Sequence, residues 1–368
     1  MLKFKIKQQV TLAETAELNR RKKIIAIWLL VGVFMIVFQI ITGGVTRLTG
    51  SGLSMTEWEP IMGAIPPLND ADWQKAFRGY QEIAQYKYVN NHFTIEDFKF
   101  IFFWEWFHRL WARSIGVVFI VPFIYFLVKK YITKDLITPL IIIFGLGVLQ
   151  ATIGWYMVQS GLNGSSLVRV SHVRLAIHLL TALILLAYIL WVALRLLIPN
   201  DQIVRHSGTR NFHLFTLILL FIQLAYGAFM SGLLAALIAP SWPTMNGYWI
   251  PPGMSKLSWI NSELNVQFVH RMVAYLLFFV IIFGFIKTWK LAKKTNSIAL
   301  KKAAIWPLIF VISQVTLGIF TVISIPHLKR GSFGVYETLA QTHQIVGMLL
   351  FISIVVVLYI VRGNKSTK

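Results

Sequence analysis

The 368-residue chain contains no cysteine. Disulfides, thiolate metal sites and iron–sulfur clusters are therefore excluded. Charge is scarce too, at 13% of residues, and acids are scarcer still: 14 Asp and Glu stand against 35 Lys and Arg. There is no Walker sequence, and "GSG" at 50–52 lacks the third glycine and the preceding strand of a dinucleotide loop. An aspartate-rich pair of the kind that binds magnesium diphosphate is missing as well. These absences leave no nucleotide or diphosphate motif in a chain of which 57% is hydrophobic.

The apolar residues fall in long runs. Windows of about twenty apolar residues are what a spanning helix needs, and eight occur, near 24–42, 100–127, 136–158, 172–197, 212–238, 264–286, 303–325 and 338–361. The expected fold is all-α: a polytopic membrane protein with eight transmembrane helices in two pseudo-symmetric four-helix bundles. The first window is too long for a signal-peptide core and no convincing cleavage site follows it, so it reads as a retained helix.

The net charge of +21 follows topology. With the amino terminus placed in the cytoplasm, the inner segments collect Arg20, Arg21, Lys22, Lys23, Lys287, Lys290, Lys293, Lys294, Lys301 and Lys302, against the acids Glu14, Glu17, Asp135 and Asp201. That is the positive-inside bias, which puts both termini inside and accounts for the basicity without a nucleic-acid partner. The tail before helix one is short and contains Glu14 and Glu17, unlike a mitochondrial presequence. A bacterial inner membrane is the expected location, a mitochondrial inner membrane the alternative.

The chain repeats itself. Gln-x-x-x-Gly recurs near the outer ends of helices one, three, five and seven: Gln39/Gly43, Gln150/Gly154, Gln223/Gly227 and Gln314/Gly318. Each even-numbered helix carries a histidine near its outer end: His108, His178, His270 and His343. His108 precedes His270 by 162 residues and His178 precedes His343 by 165, and "WFHR" matches "FVHR". The expected organisation is an amino-terminal half over 1–197, a cytoplasmic linker over 198–211 and a carboxyl-terminal half over 212–368.

A lone intramembrane histidine is usually a hydrogen-bonded packing residue. Four at matching depth, paired within each half, suit two haem irons, each ligated from both sides inside a helix bundle. The glycines would let a flat macrocycle approach the backbone, or else serve close helix packing. Arg109 and Arg271 follow two of the proposed ligands and suit haem propionates. A di-iron site would want Glu-x-x-His twice in one bundle, but Glu105-x-x-His108 is answered by Gln267 before His270. His92, His172, His206, His213 and His327 are expected at solvated surface, with His172 the best of them for a substrate contact.

The halves differ at that position. Glu105 lies one turn before His108, where a carboxylate beside a haem edge can stabilise developing positive charge or act as a base. An ion pair with Arg109 at i,i+4 is the plainer reading. The amino half also has the long outer loop 43–99, read as a lid or a docking surface.

The stretches "GGVTRLTGSGLSMTEWEPIMGAIPP", "WEWFHRLWARSIG", "QFVHR" and "QTHQIVG" resemble the haem A synthase family over nearly the whole chain, and the absence of cysteine resembles its cysteine-free mitochondrial and alphaproteobacterial branch. The resemblance implies oxidation of the C8 methyl group of haem O to the formyl group of haem A, for cytochrome oxidase, by successive hydroxylations. It implies that His108 and His178 hold the substrate haem, that His270 and His343 ligate a permanent haem b, and that Glu105 is the catalytic carboxylate. Expected partners are haem O and the haem O synthase that makes it. An electron acceptor goes unnamed by the sequence, which is also compatible with a homo-oligomer. The alternatives are a di-haem electron-transfer cytochrome, which gives Glu105 no task, and a transporter or assembly factor, which would retain no haem.

Overall fold

The computed structural model describes residues 2–57, 62–162, 166–328 and 333–363. Eight helices are long and apolar enough to cross a membrane: α1 (Leu2–Leu48), α3 (Ile95–Val128), α4 (Lys134–Gln159), α5 (His172–Leu197), α6 (Ser207–Leu233), α7 (Glu263–Lys294), α8 (Ile298–Ile323) and α9 (Val335–Ile360). Helix satisfies every backbone polar group within one segment, which a bilayer demands. The helices outrun the apolar windows. At about 1.5 Å per residue, the 32 residues of α7 reach roughly 48 Å, well beyond a hydrocarbon core of about 30 Å. Polar caps close several of the water-side ends: Thr94 and Asp97 form a capping box on α3, and Ser262 and Ser297 accept from the third residues of α7 and α8.

Within the amino half α1 packs on α3 and α5, and α4 packs on α5. In the carboxyl half α6 packs on α7 and α9, α7 on α8, and α8 on α9. The halves meet where α5 meets α6 and where α9 meets α1 and α5. One apolar core runs through this junction, through Ile36, Leu183, Leu186, Leu220, Phe351 and Ile354. Burial is therefore uneven: 61% of the most apolar window of α9 is buried, but only 6% of that of α3.

The loop between α1 and α3 is folded. Residues Asp70–Gln81 form the amphipathic helix α2, capped by Asn69, which accepts from the Asp72 N–H. Its Trp73, Phe77 and Tyr80 pack against Phe98 and Phe102 at the outer end of α3. The Tyr80 hydroxyl donates to Gln85 and accepts from Asn90, and burial pushes its phenol up to about 12. Of the expected lid over 43–99, residues 58–61 lie outside the described residues.

The linker between the halves is not loose. Its β1 (Val204–Arg205) pairs in parallel with β2 (Val361–Arg362), which directly follows α9, and the His206 N–H donates to Arg362 O at 2.9 Å.

Candidate functional site

The four Gln-x-x-x-Gly patterns do not end their helices, each of which continues for more than one further turn. The patterns build four like cradles. Each glutamine meets the histidine of the following helix: Gln39 Nε2 is 3.0 Å from His108 Nε2, Gln150 Nε2 3.1 Å from His178 Nδ1, Gln223 Nε2 3.2 Å from His270 Nδ1, and Gln314 Nε2 3.2 Å from His343 Nε2. One turn on, each glycine lies under the same imidazole. A methyl group at Gly43, Gly154, Gly227 or Gly318 would stand 3.0, 2.8, 3.4 or 3.0 Å from the Cε1 of that ring. Of the two readings of these glycines, close packing fits: the missing side chain admits the neighbouring imidazole.

The amino-half cradles are tied more often. Gln39 and Gln150 also donate to the main-chain carbonyls of His108 and His178, at 3.1 and 2.9 Å. Thr181 donates to Gln150 Oε1 at 2.6 Å, and Thr42 contacts His108 Nδ1 at 3.0 Å. Among the described residues Gln39 Oε1 in the amino half, and His343 Nδ1, Gln223 Oε1 and Gln314 Oε1 in the carboxyl half, are buried without a hydrogen-bond partner.

The carboxyl-half pair has the spacing of a bis-histidine haem. The ring centres of His270 and His343 are 6.3 Å apart. Two iron–nitrogen bonds of about 2 Å, plus roughly 1 Å from each nitrogen to its ring centre, give about 6 Å. Among the described residues no three His, Cys, Asp or Glu gather into a metal-ligating group.

Glu105 is 2% exposed and fully engaged. Its Oε2 accepts from the Ser54 N–H at 2.6 Å, the Ser54 hydroxyl at 2.7 Å and the Met55 N–H at 2.9 Å, and its Oε1 pairs with Arg109 Nη2 at 2.5 Å. The ion pair at i,i+4 therefore forms, and the carboxylate also fastens the start of the outer loop to α3. At the matching place Gln267 donates to Ala239 O at 3.0 Å, while Arg271 donates to Ala239 O and Thr244 O at 2.9 and 3.3 Å. Arg109 Nη2 and Arg271 thus spend donors on the protein's own loops.

Two of the histidines expected at solvated surface are elsewhere. His213 is 5% exposed within α6, bonded through Nε2 to Thr288 Oγ1 at 2.7 Å. It stands at the edge of its apolar window and its partner is 75 residues away, so sequence alone shows it only as a boundary residue. His172 opens α5 and packs edge-on against Phe229 of α6, close to Gly232. Its Nε2 is buried without a hydrogen-bond partner among the described residues.

Sequence comparison extends these observations. The profile of a family described as cytochrome oxidase assembly protein matches residues 26–361. A heme A synthase of Flavobacterium psychrophilum is 42% identical over 317 residues, covering 83% of this chain and 92% of that protein. The heme A synthase of Flavobacterium johnsoniae is 39% identical, covering 90% and 96%. That of Parvibaculum lavamentivorans is 39% identical, covering 88% and 90%. With the match running through all eight spans and all four histidine cradles, the chain belongs to the cytochrome oxidase assembly protein family.

Proposed function

We propose that this protein is a haem A synthase, which oxidises the C8 methyl group of haem O to a formyl group by successive hydroxylations. Full-span similarity to heme A synthases supports the reaction. The observation that carries the site assignment is the pairing of four cradled histidines, two in each half, with His270 and His343 at bis-histidine spacing. Converting methyl to formyl with water as oxygen source removes four electrons and four protons overall, so the protein must hold the substrate beside an electron outlet.

His108 and His178 hold haem O in the amino half. His270 and His343 hold a permanent haem b, which supplies one-electron redox chemistry when bound. Glu105, one turn before His108, lays a fixed negative charge beside the substrate, where positive charge developing at the methyl carbon is stabilised while water attacks. Arg109 keeps that carboxylate in place, and Arg271 fixes the outer loop over the second pair. The protein lies in a bacterial inner membrane with both termini cytoplasmic, and receives its substrate from the haem O synthase.

Expression in a host that makes haem O but no haem A tests the reading. Haem A should appear in extracted membranes with the intact chain and be absent with Glu105→Ala. A folded, haem-loaded protein that yields only haem B and haem O, even with an electron acceptor supplied, would point to the electron-transfer cytochrome.

A further inference from the structure

Three of the four cradles have an apolar or aromatic residue just before the glycine: Ile153, Tyr226 and Leu317. The first has Thr42. This side chain is 3% exposed, and its Oγ1 is 3.0 Å from both Gln39 O and His108 Nδ1.

The directions of these hydrogen bonds follow from what each group can give. A hydroxyl has one hydrogen, and a carbonyl oxygen can only accept. Thr42 therefore donates to Gln39 O, and its oxygen accepts from His108 Nδ1–H. The other ring nitrogen, Nε2, then keeps its lone pair. The Gln39 amide agrees with this tautomer. Gln39 Nε2 lies 3.1 Å from His108 O, 3.0 Å from Nε2 and 3.2 Å from Nδ1; with Nδ1–H committed to Thr42, its two N–H groups go to the carbonyl and to Nε2. Nε2 is then the nitrogen whose lone pair iron would take, in place of the Gln39 N–H.

We propose that Thr42 is a positioning residue that fixes the Nδ1–H tautomer and ring orientation of His108, so that Nε2 is presented to the iron of the substrate haem. The proposal rests on the reading of the amino half as the haem O site. An acceptor on the distal N–H of a ligating histidine orients the ring and raises its basicity. It matters most in a site whose haem must enter and leave, since the ligand must keep its orientation between turnovers. The carboxyl-half ligand His343 has no such partner on its Nδ1 among the described residues.

The test uses the purified full-length protein with its resident haem, titrated with ferric haem O in detergent and followed by Soret absorbance and low-temperature EPR. Thr42→Val keeps the side-chain shape but removes the acceptor, and Thr42→Ser restores it. Loss of this second partner is expected to weaken haem O binding by roughly ten-fold or more and to shift the low-spin signal of the added haem. Thr42→Ser should recover both, and the spectrum of the resident haem should stay constant as a control on folding. Equal affinity and an unchanged EPR signal in Thr42→Val would overturn the proposal. Failure of the wild-type protein to take up a second haem would overturn the amino-half reading and this inference with it.

Discussion

The two halves fasten their outer loops at equivalent places with opposite polarity. In the amino half Glu105 accepts from the loop backbone at Ser54 and Met55; in the carboxyl half Gln267 donates to the loop carbonyl of Ala239. The difference follows what each loop presents, N–H donors to Glu105 and a carbonyl to Gln267, and Glu105 stands one turn from the histidine assigned to the substrate haem. A second difference is exposure. The histidine-bearing helix α3 is the least buried span, held mainly by α1, whereas α9 lies at the centre of the molecule. The site assigned to a transient haem pairs α3, its apolar window 6% buried, with α5 at 44%; the site of the resident haem pairs α7 at 22% with α9 at 61%.

The largest expected effect comes from removing a ligand of the resident haem. His270→Ala should abolish the b-type spectrum of the purified protein, and an unchanged spectrum would dissolve the distinction between the halves. Next is the reciprocal exchange. Glu105→Gln makes the amino half resemble the carboxyl half; it should keep haem binding but slow haem A formation by about 10²–10³-fold, as loss of one electrostatic stabiliser does. Gln267→Glu faces a buried carboxylate with carbonyl oxygens and should destabilise the protein by about 3 kcal/mol, read as a lower melting temperature. If Glu105→Gln instead turns over normally while Gln267→Glu is harmless, the polarity difference is incidental. The smallest effect sharpens the cradle comparison. At Gly154 an added methyl would lie 2.8 Å from His178 Cε1, against 3.4 Å from His270 Cε1 at Gly227. Gly154→Ala should cost about 1–3 kcal/mol by overpacking. Gly227→Ala should be nearly silent in thermal melts and in the resident haem spectrum.

Much of this architecture is legible in the sequence because bilayer length and internal repetition leave strong marks. Eight apolar windows locate the spans, and the recurrence of Gln, Gly and His at fixed intervals locates the four cradles. What those windows hide is register between helices. The sequence shows that Gln39 and His108 recur in kind but not that they touch, and it shows Glu105 near Arg109 but not the loop backbone at Ser54 and Met55. The helix α2 was hidden within a polar loop, although Asn69 before Asp70 and Asp72 is a capping signal. Thr42 was visible: it is the sole aliphatic hydroxyl among the four residues preceding the cradle glycines, where the others are Ile153, Tyr226 and Leu317. Its meaning needed the position of His108 Nδ1.

The short parallel pairing of β1 with β2 has a consequence for assembly. The strand in the linker pairs with the end of α9, so it belongs physically to the carboxyl half. A break between Leu197 and Val204 would thus cut only a short turn and leave that pairing whole. Each resulting fragment would contain four spans, enough to begin and end on one side of the membrane and to insert without the other. Synthesised as two polypeptides, the halves would have to meet again through the packing of α5 on α6 and of α9 on α1 and α5, which split reconstitution would put to the test.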